Sequence, residues 1–439
     1  MPDIQLIAAQ DITSQAPLKP TTSIVKKEWN VRVSPAVGRS RNPIRETLAS
    51  ITANQPSCSK TPINLGLGDP THYPLHPPPP AAITAVAQAA IGGGANGYLN
   101  GVGSTEARQA VADYHERWDQ VKYDISDIVL SHGVGQGLDL LFSVIIPPAS
   151  VEKSNILLPR PGFAQYTALL ANLDAEIRYY DCVEDKDWEV DLEMIDQLCD
   201  DNTRAILINN PSNPCGSNYS RQALKDILVI AEEHKVPIIA DEIYGHMTWS
   251  APFTPLASLS NTVPIITLSG LSKRFLVPGW RFGWLCLHDP LGIASSIKSG
   301  MQCWGNRFMG PNSLIQAALP TILATEPEWY DEVINKIEAL AKIVYQGVSD
   351  APGLSTHCPS GAMYSFVKID LAAFPTIKDD VAFATALYNE QAVFVLPGLC
   401  FGMPGYFRIV LGTPSDVMTE VIERIQQFCS KHSVIDQDL

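Results

Sequence analysis

Between residues 128 and 270 the chain alternates short apolar runs with longer helical patterns, and this rhythm constrains the fold more than any other feature. The apolar runs are Ile128–Leu130, Asn155–Leu158, Glu176–Tyr180, Ala205–Asn209, Val236–Ala240 and Val263–Leu268. Helical patterns fill the intervals at Gly137–Ile146, Tyr166–Leu173, Leu192–Leu198 and Arg221–His234. Runs this short and this apolar must be buried on both faces, which a parallel sheet with helices on each side provides. The expected fold is therefore α/β, with a large domain built on a mostly parallel sheet covered by helices. The chain has 439 residues, enough for a second, smaller α+β domain. Trp329–Val348 reads as a long linking helix, because Val333, Ile337, Leu340 and Val344 recur about every 3.5 residues. The runs Met363–Lys368, Val393–Leu396 and Phe407–Leu411, with a helix from Pro414 to Cys429, read as the smaller domain. Upstream, an Ala-rich helix from Ala81 to Ile91 should end at Gly92–Gly94, and a second helix should span Glu106–Gln120.

The ends of the predicted strands carry the residues with chemical potential. Lys273 follows the run ending at Leu268, in Ser269-Gly270-Leu271-Ser272-Lys273-Arg274. Small flanking residues let such a lysine project its amine from a strand end into a cavity, where it can bond to an aldehyde cofactor. Arg281, eight positions on, can clamp a phosphate with two parallel hydrogen bonds. Asn213 lies in Asn210-Pro-Ser-Asn-Pro-Cys-Gly216, and Asp241 and Tyr244 lie in Asp241-Glu-Ile-Tyr244. All five fall just past the carboxyl ends of predicted strands, the edge at which open α/β sheets bind ligands. Gly133-Val134-Gly135-Gln136-Gly137 lies between a strand and a helix, so its amides can face an anion at a helix N-terminus. A dinucleotide loop is the rival reading, but no acidic residue at a second strand end supports it.

These motifs resemble those of the fold-type I pyridoxal-phosphate-dependent aminotransferases, and within them the eukaryotic tyrosine aminotransferase branch. The resemblance extends through Asn42-Pro-Ile-Arg45, Gly68-Asp-Pro70, Pro159-Arg-Pro-Gly-Phe163, Lys273–Arg281 and Pro359-Ser-Gly-Ala-Met-Tyr364, and covers the chain from about Trp29 to about Phe428. It implies that Lys273 is the catalytic lysine, binding pyridoxal 5'-phosphate and carrying the proton from the substrate Cα. Asp241 would pair with the ring nitrogen, Tyr244 and Asn213 with the phenolic oxygen, and Phe163 and Ile243 with the two ring faces. Gly133, Val134, Gly135, Ser272 and Arg281 would hold the phosphate. Gly135 and Gly270 stand where relatives often carry a hydroxyl. Tyr98 would reach the phosphate of a neighbouring subunit, which implies a homodimer with sites at its interface. Arg408 would clamp the substrate α-carboxylate, with Asn42, Gly68 and Asn213 lining the same pocket. Counting back from Pro311, Gly305 stands where acidic-substrate relatives place a second arginine that reaches in from the other subunit, which implies a pocket able to take an aromatic ring and a side-chain position that faces the substrate; Arg307 is a further candidate for recruiting 2-oxoglutarate. The implied reaction moves the amino group of L-tyrosine and other aromatic amino acids to a 2-oxo acid such as 2-oxoglutarate, with pyridoxal and pyridoxamine forms alternating in a ping-pong cycle. An alanine- or methionine-preferring aminotransferase and a pyridoxal-phosphate-dependent C–S β-lyase share the same residues. A pyridoxal-phosphate-binding regulator is the remaining reading, without a basic stripe to support it.

The resemblance also divides the chain: residues 1–28 as a flexible arm, 29–72 and 331–439 as the smaller domain, and 73–330 as the cofactor domain. A formal net charge of −15 argues against a nucleic-acid surface or a basic membrane patch. No apolar run reaches the roughly 18–20 residues of a membrane span. Nine scattered cysteines without a Cys-x-x-Cys pair suit a reducing compartment. The expected location is the cytoplasm, with the mitochondrion as the alternative. His72 and His76 sit in a Pro-rich loop without a shared helical face, so no metal site is expected there.

Overall fold

The computed structural model of the chain describes residues 29, 31–39, 41–53 and 55–435. The arm expected over residues 1–28 lies outside the described residues. The chain divides into two units, Met1–Pro35 and Ala36–Leu439, and the second carries the elements discussed below. In chain order, α1 (Pro35–Arg39), α2 (Pro43–Ile51), β1 (Ile63–Asn64), α3 (Pro80–Gly92) and α4 (Thr105–Asp119) come first. The alternating region then gives β2 (Ile128–Ser131), α5 (Val134–Ile145), β3 (Asn155–Arg160), α6 (Ala164–Leu173), β4 (Glu176–Val183) and β5 (Glu189–Val190). It continues through α7 (Leu192–Leu198), β6 (Thr203–Asn209), α8 (Arg221–His234), β7 (Ile238–Asp241), β8 (Ile265–Gly270) and β9 (Gly283–His288). The remainder comprises α9 (Ser295–Arg307), α10 (Ser313–Leu323), α11 (Pro327–Ser349), β10 (Leu354–Thr356), β11 (Tyr364–Ile369), α12 (Asp380–Gln391), β12 (Val393–Phe394), β13 (Leu396–Pro397), β14 (Tyr406–Val410) and α13 (Ser415–His432).

An eight-stranded sheet runs in the order β2-β9-β8-β7-β6-β3-β4-β5. Strands β8, β7, β6, β3 and β4 are mutually parallel, whereas β9 is antiparallel to both neighbours and β5 is antiparallel to β4. Every residue of β2 and β7 is buried, and so is every residue of β3 except Arg160 and of β6 except Arg204, as strands covered on both faces require. The helix limits follow local chemistry. Ser220 caps α8 by accepting from the Ala223 amide, and Asp191 caps α7 by accepting from the Met194 amide. Gly93, at φ 68°, ends α3 in the left-handed region that glycine enters without strain.

A second, antiparallel sheet runs β10-β11-β14-β13. The amino-terminal segment joins it: β1 pairs with β12, the Leu65 amide donates to Phe394 O, and the Val410 amide donates to Leu65 O. Register is what aligns the edge of the large sheet. Asn209 pairs with Asp241, Asp241 with Leu268, Gly270 with Gly283, and Gly283 with Ser131. The carboxyl ends of four strands and the start of β9 therefore meet on one rim.

The long helix α11 packs against α13 through a glycine. A Cβ at Gly347 would lie 2.0 Å from Ile422 Cγ2 and 3.2 Å from Ile422 Cβ. In an open helix, replacing glycine by alanine stabilises by about 1 kcal/mol. Here Gly347→Ala should instead destabilise, by ~1–3 kcal/mol of overpacking. Urea unfolding of Gly347→Ala and of Gly347→Ala/Ile422→Ala should show the second substitution recovering part of the loss; an alanine variant at least as stable as the wild type would contradict the close α11–α13 contact.

Candidate active site

The rim opens into a cavity of about 660 Å³ that reaches from Asn42 and Gly68 across Asp241 and Lys273 to Arg408. Asp241, the last residue of β7, forms its floor and is 3% exposed. Its Oδ2 accepts from the Tyr166 hydroxyl at 2.6 Å and its Oδ1 from the Ile243 amide at 3.3 Å. Burial pushes the carboxyl up to about 6, against the lowering effects of the Tyr166 hydroxyl, the Ile243 amide and the Lys273 charge. Glu242 points to the other side of the strand, where its Oε1 accepts from the Leu256 amide at 2.9 Å. Its role is thus structural, as strand alternation predicts.

Lys273 follows β8 by three residues and lines the cavity, with its Nζ donating to Gly68 O. Ser272 is buried beside it on the same wall. Arg281 precedes β9 and turns its guanidinium toward the start of α5. Its Nη1 donates to Pro278 O at 2.9 Å and its Nη2 to His132 O at 3.5 Å. Gly133 caps α5 at φ 80°, and a Cβ there would lie 2.8 Å from Arg281 Nη2. Val134 and Gly135 supply first-turn amides, which have no acceptor within their own helix. This wall combines a cation with free N–H groups, the composition of an anion site.

Gly270 has no room for a hydroxyl-bearing side chain. A Cβ there would come 2.6 Å from Phe282 O, and one at Gly283 would come 2.9 Å from Gly133 C. The paired glycines let β8, β9 and the loop before α5 stack closely. Their lack of side chains is a packing requirement.

Arg408, on β14, is 2% exposed. Its Nη1 donates to Asn213 Oδ1 at 2.7 Å and its Nη2 to Gly66 O at 2.7 Å. Its Nε has no partner among the described residues, and no described carboxylate pairs with the guanidinium. Burial lowers its pKa from the ordinary value. The guanidinium also lies 4.4 Å from the centre of the Tyr364 ring and 4.8 Å from that of Phe401. Asn213 is held in turn by Asn209, whose Oδ1 accepts the Asn213 amide at 2.8 Å. Tyr244 and Tyr364 share a hydroxyl–hydroxyl hydrogen bond of 2.7 Å. Phe163 and Ile243 line the walls.

Two predicted residues depart from a simple place in the cavity. Asn42 lines the cavity but also caps α2, with its Oδ1 accepting from the Ile44 and Arg45 amides at 3.1 and 3.4 Å. Tyr98 is 88% exposed and lies outside the main cavity, in a neighbouring depression shared with Arg281. The expectation for Gly305 is corrected. It is buried in α9, and a Cβ there would lie 3.1 Å from Cγ1 of both Val102 and Val129. That position faces the subunit's own core. Arg307 lies over the Trp304 ring at 4.5 Å and is not among the residues lining the cavity. Tyr166, Asn209 and Tyr364 were not anticipated. Tyr166 lies three residues after Phe163, and Tyr364 ends a motif already noted, but nothing in their spacing assigns them a partner.

A buried acid, an amine, an anion-binding wall and a buried arginine without a carboxylate thus share one cavity. The family described as aminotransferase class I and II matches residues 60–425. Tyrosine aminotransferase of Mus musculus is 39% identical over 410 residues, covering 93% of this chain and 89% of the mouse protein. Among solved structures, tyrosine aminotransferase from Leishmania infantum has a TM-score of 0.88 and 32% identity, over 93% of this chain and all of that one. Alanine aminotransferase from Pyrococcus furiosus has a TM-score of 0.85 and 28% identity, over 91% of this chain and 100% of that one. The strand-end cavity and the match over most of its length agree, and the chain belongs to the class I and II aminotransferases.

Proposed function

We propose that this chain transfers the amino group of L-tyrosine and other aromatic amino acids to a 2-oxo acid such as 2-oxoglutarate, using pyridoxal 5'-phosphate. The observation that carries the reading is Arg408, a buried guanidinium without a carboxylate, in the same cavity as Lys273 and Asp241. The aromatic preference rests on the names of the relatives that match along nearly the whole chain.

The residues present fit the cofactor. Asp241 is a carboxyl whose pKa burial raises, so a protonated ring nitrogen, which would favour its charged form, suits it as partner. Arg281, Ser272 and the amides of Gly133, Val134 and Gly135 suit the phosphate. When bound, pyridoxal phosphate supplies an electrophilic carbon for the substrate amine and a ring that takes up the electron pair released at Cα. Asp241 would keep the proton on the ring nitrogen. Tyr244 and Asn213 would donate toward the phenolic oxygen, and Phe163 and Ile243 would flank the ring. Lys273 Nζ takes the proton from the substrate Cα and delivers it onward as a general base and acid. Arg408 has five N–H groups, of which two are used by Asn213 and Gly66, leaving Nε and others for the α-carboxylate. Asn42 and Gly68 complete the substrate wall.

We further read residues 73–330 as the cofactor domain and residues 29–72 with 331–439 as the smaller one. Tyr98, exposed beside Arg281, is read as reaching the phosphate of a second copy in a homodimer. No described helix is long and apolar enough to cross a membrane. The cysteines are unpaired, which supports a reducing compartment such as the cytoplasm.

Lys273→Ala should keep the fold and lose turnover, and borohydride treatment of the wild type should fix the cofactor to the peptide containing Lys273. A label on another lysine would displace the assignment. Asp241→Asn should retain cofactor but lose about 1.5–3 kcal/mol of transition-state stabilisation, or one to two decades of rate at about 1.4 kcal/mol per decade. In the cofactor-free protein the same substitution has a second signature. The folded state holds the Asp241 proton up to about pH 6, against 3.8 ordinarily, so this group makes stability fall as pH rises between those values. Urea unfolding across that window should show a flatter pH dependence for Asp241→Asn; an unchanged slope, or activity within about twofold of wild type, would count against the role. Arg408→Ala should weaken tyrosine, alanine and glutamate together, by ~2–5 kcal/mol for a broken buried charge pair. Steady-state kinetics that reorder the three substrates would place the carboxylate elsewhere.

A further inference from the structure

The anion-binding wall has two flanks, and only one is accounted for by Arg281. The other is closed by Gln165, on the first turn of α6. A Cβ at Gly135 would lie 2.6 Å from Gln165 Nε2 and 3.1 Å from its Oε1. The amide therefore occupies the space beside the first turn of α5 that a side chain at position 135 would fill. Gln165 is half-buried, lines the same cavity as Lys273 and Asp241, and its side chain has no hydrogen-bond partner among the described residues. Its neighbour Tyr166 donates to Asp241, so consecutive residues of α6 line two parts of one cavity.

A phosphate offers several acceptor oxygens. The N-terminal amides of α5 and the Arg281 guanidinium would satisfy those on one side. Gly135 and Gly270 carry no hydroxyl, and packing forbids one at Gly270. The carboxamide of Gln165 carries two N–H donors and no charge, so its half-exposure costs little before the ligand arrives. We infer that Gln165 is a phosphate ligand of the cofactor, with its Nε2 supplying from α6 the side-chain donor that position 135 lacks. The inference rests on the proposed use of pyridoxal phosphate. It makes Gly135 and Gln165 a coupled pair: the glycine leaves room for the amide, and the amide does the work of a hydroxyl.

The test measures binding of pyridoxal 5'-phosphate and of pyridoxal, which lacks the phosphate, to enzyme stripped of cofactor, by absorbance titration. Gln165→Leu keeps the side-chain size and should bind pyridoxal phosphate about tenfold more weakly, the scale of one charge-assisted hydrogen bond. Its affinity for pyridoxal should stay within about twofold of wild type. Gly135→Ser alone should also weaken pyridoxal phosphate, because the new Cβ pushes the amide aside. In the double variant Gly135→Ser/Gln165→Leu, the hydroxyl should restore affinity to within about threefold of wild type. A wild-type protein that binds pyridoxal phosphate, with Gln165→Leu binding it equally well, overturns the inference and leaves the proposed function standing. Equal losses for both vitamers would assign Gln165 to the ring and overturn it too. A wild-type protein that binds neither vitamer would overturn the proposed function and the inference together.

Discussion

The guanidinium of Arg408 ties three distant parts of the chain to one point. It extends from β14, donates to Asn213 in the turn after β6, and donates to Gly66 in the segment after β1. Removing such a cation from water is costly, and two neutral acceptors recover only part of that cost. What remains is a buried guanidinium whose Nε has no partner among the described residues. The Tyr364 and Phe401 rings beside the guanidinium keep water away and strengthen any charge pair formed there. The smaller sheet, the amino-terminal segment and the Asn-Pro turn are thus held in register by a residue whose own bonding is incomplete.

Asp241 is the counterpart at the cavity floor. Burial raises its pKa, while Tyr166 and the Ile243 amide favour the charged form. A cationic partner beside the carboxyl would lower that pKa again. The two ends of the cavity therefore hold an acid and a guanidinium, each without an ion-pair partner among the described residues. Glu242 shows the other use of a buried carboxyl: one residue away and on the opposite face, it accepts the Leu256 amide and supports a loop.

Much of this was legible from residue order. Helices α7 and α8 span the residues their patterns predict, since Asp191 and Ser220 supply caps and each helix presents one apolar face. The rim positions of Lys273, Asp241 and Asn213 follow from strands too short to place them elsewhere. Gly305 was misplaced because counting along a motif gives position but not direction. A turn of helix rotates a side chain by about 100° per residue, and only the packing of α9 on Val102 and Val129 shows which way position 305 faces.

The sequence alone determined the α/β class, the edge of the sheet at which the candidate site residues gather, and the residue types offered there, because hydrophobic period and turn residues are local properties. Tertiary structure decided the partnerships. Tyr166 meets Asp241 across 75 positions, Arg408 meets Asn213 across 195, and Gly270 faces Gly283 only because β9 runs against its neighbours. It also decided that Gln165 stands beside Gly135. Such pairs depend on strand register and helix crossing, which arise when all the elements pack at once, and no local pattern encodes which two side chains will then touch.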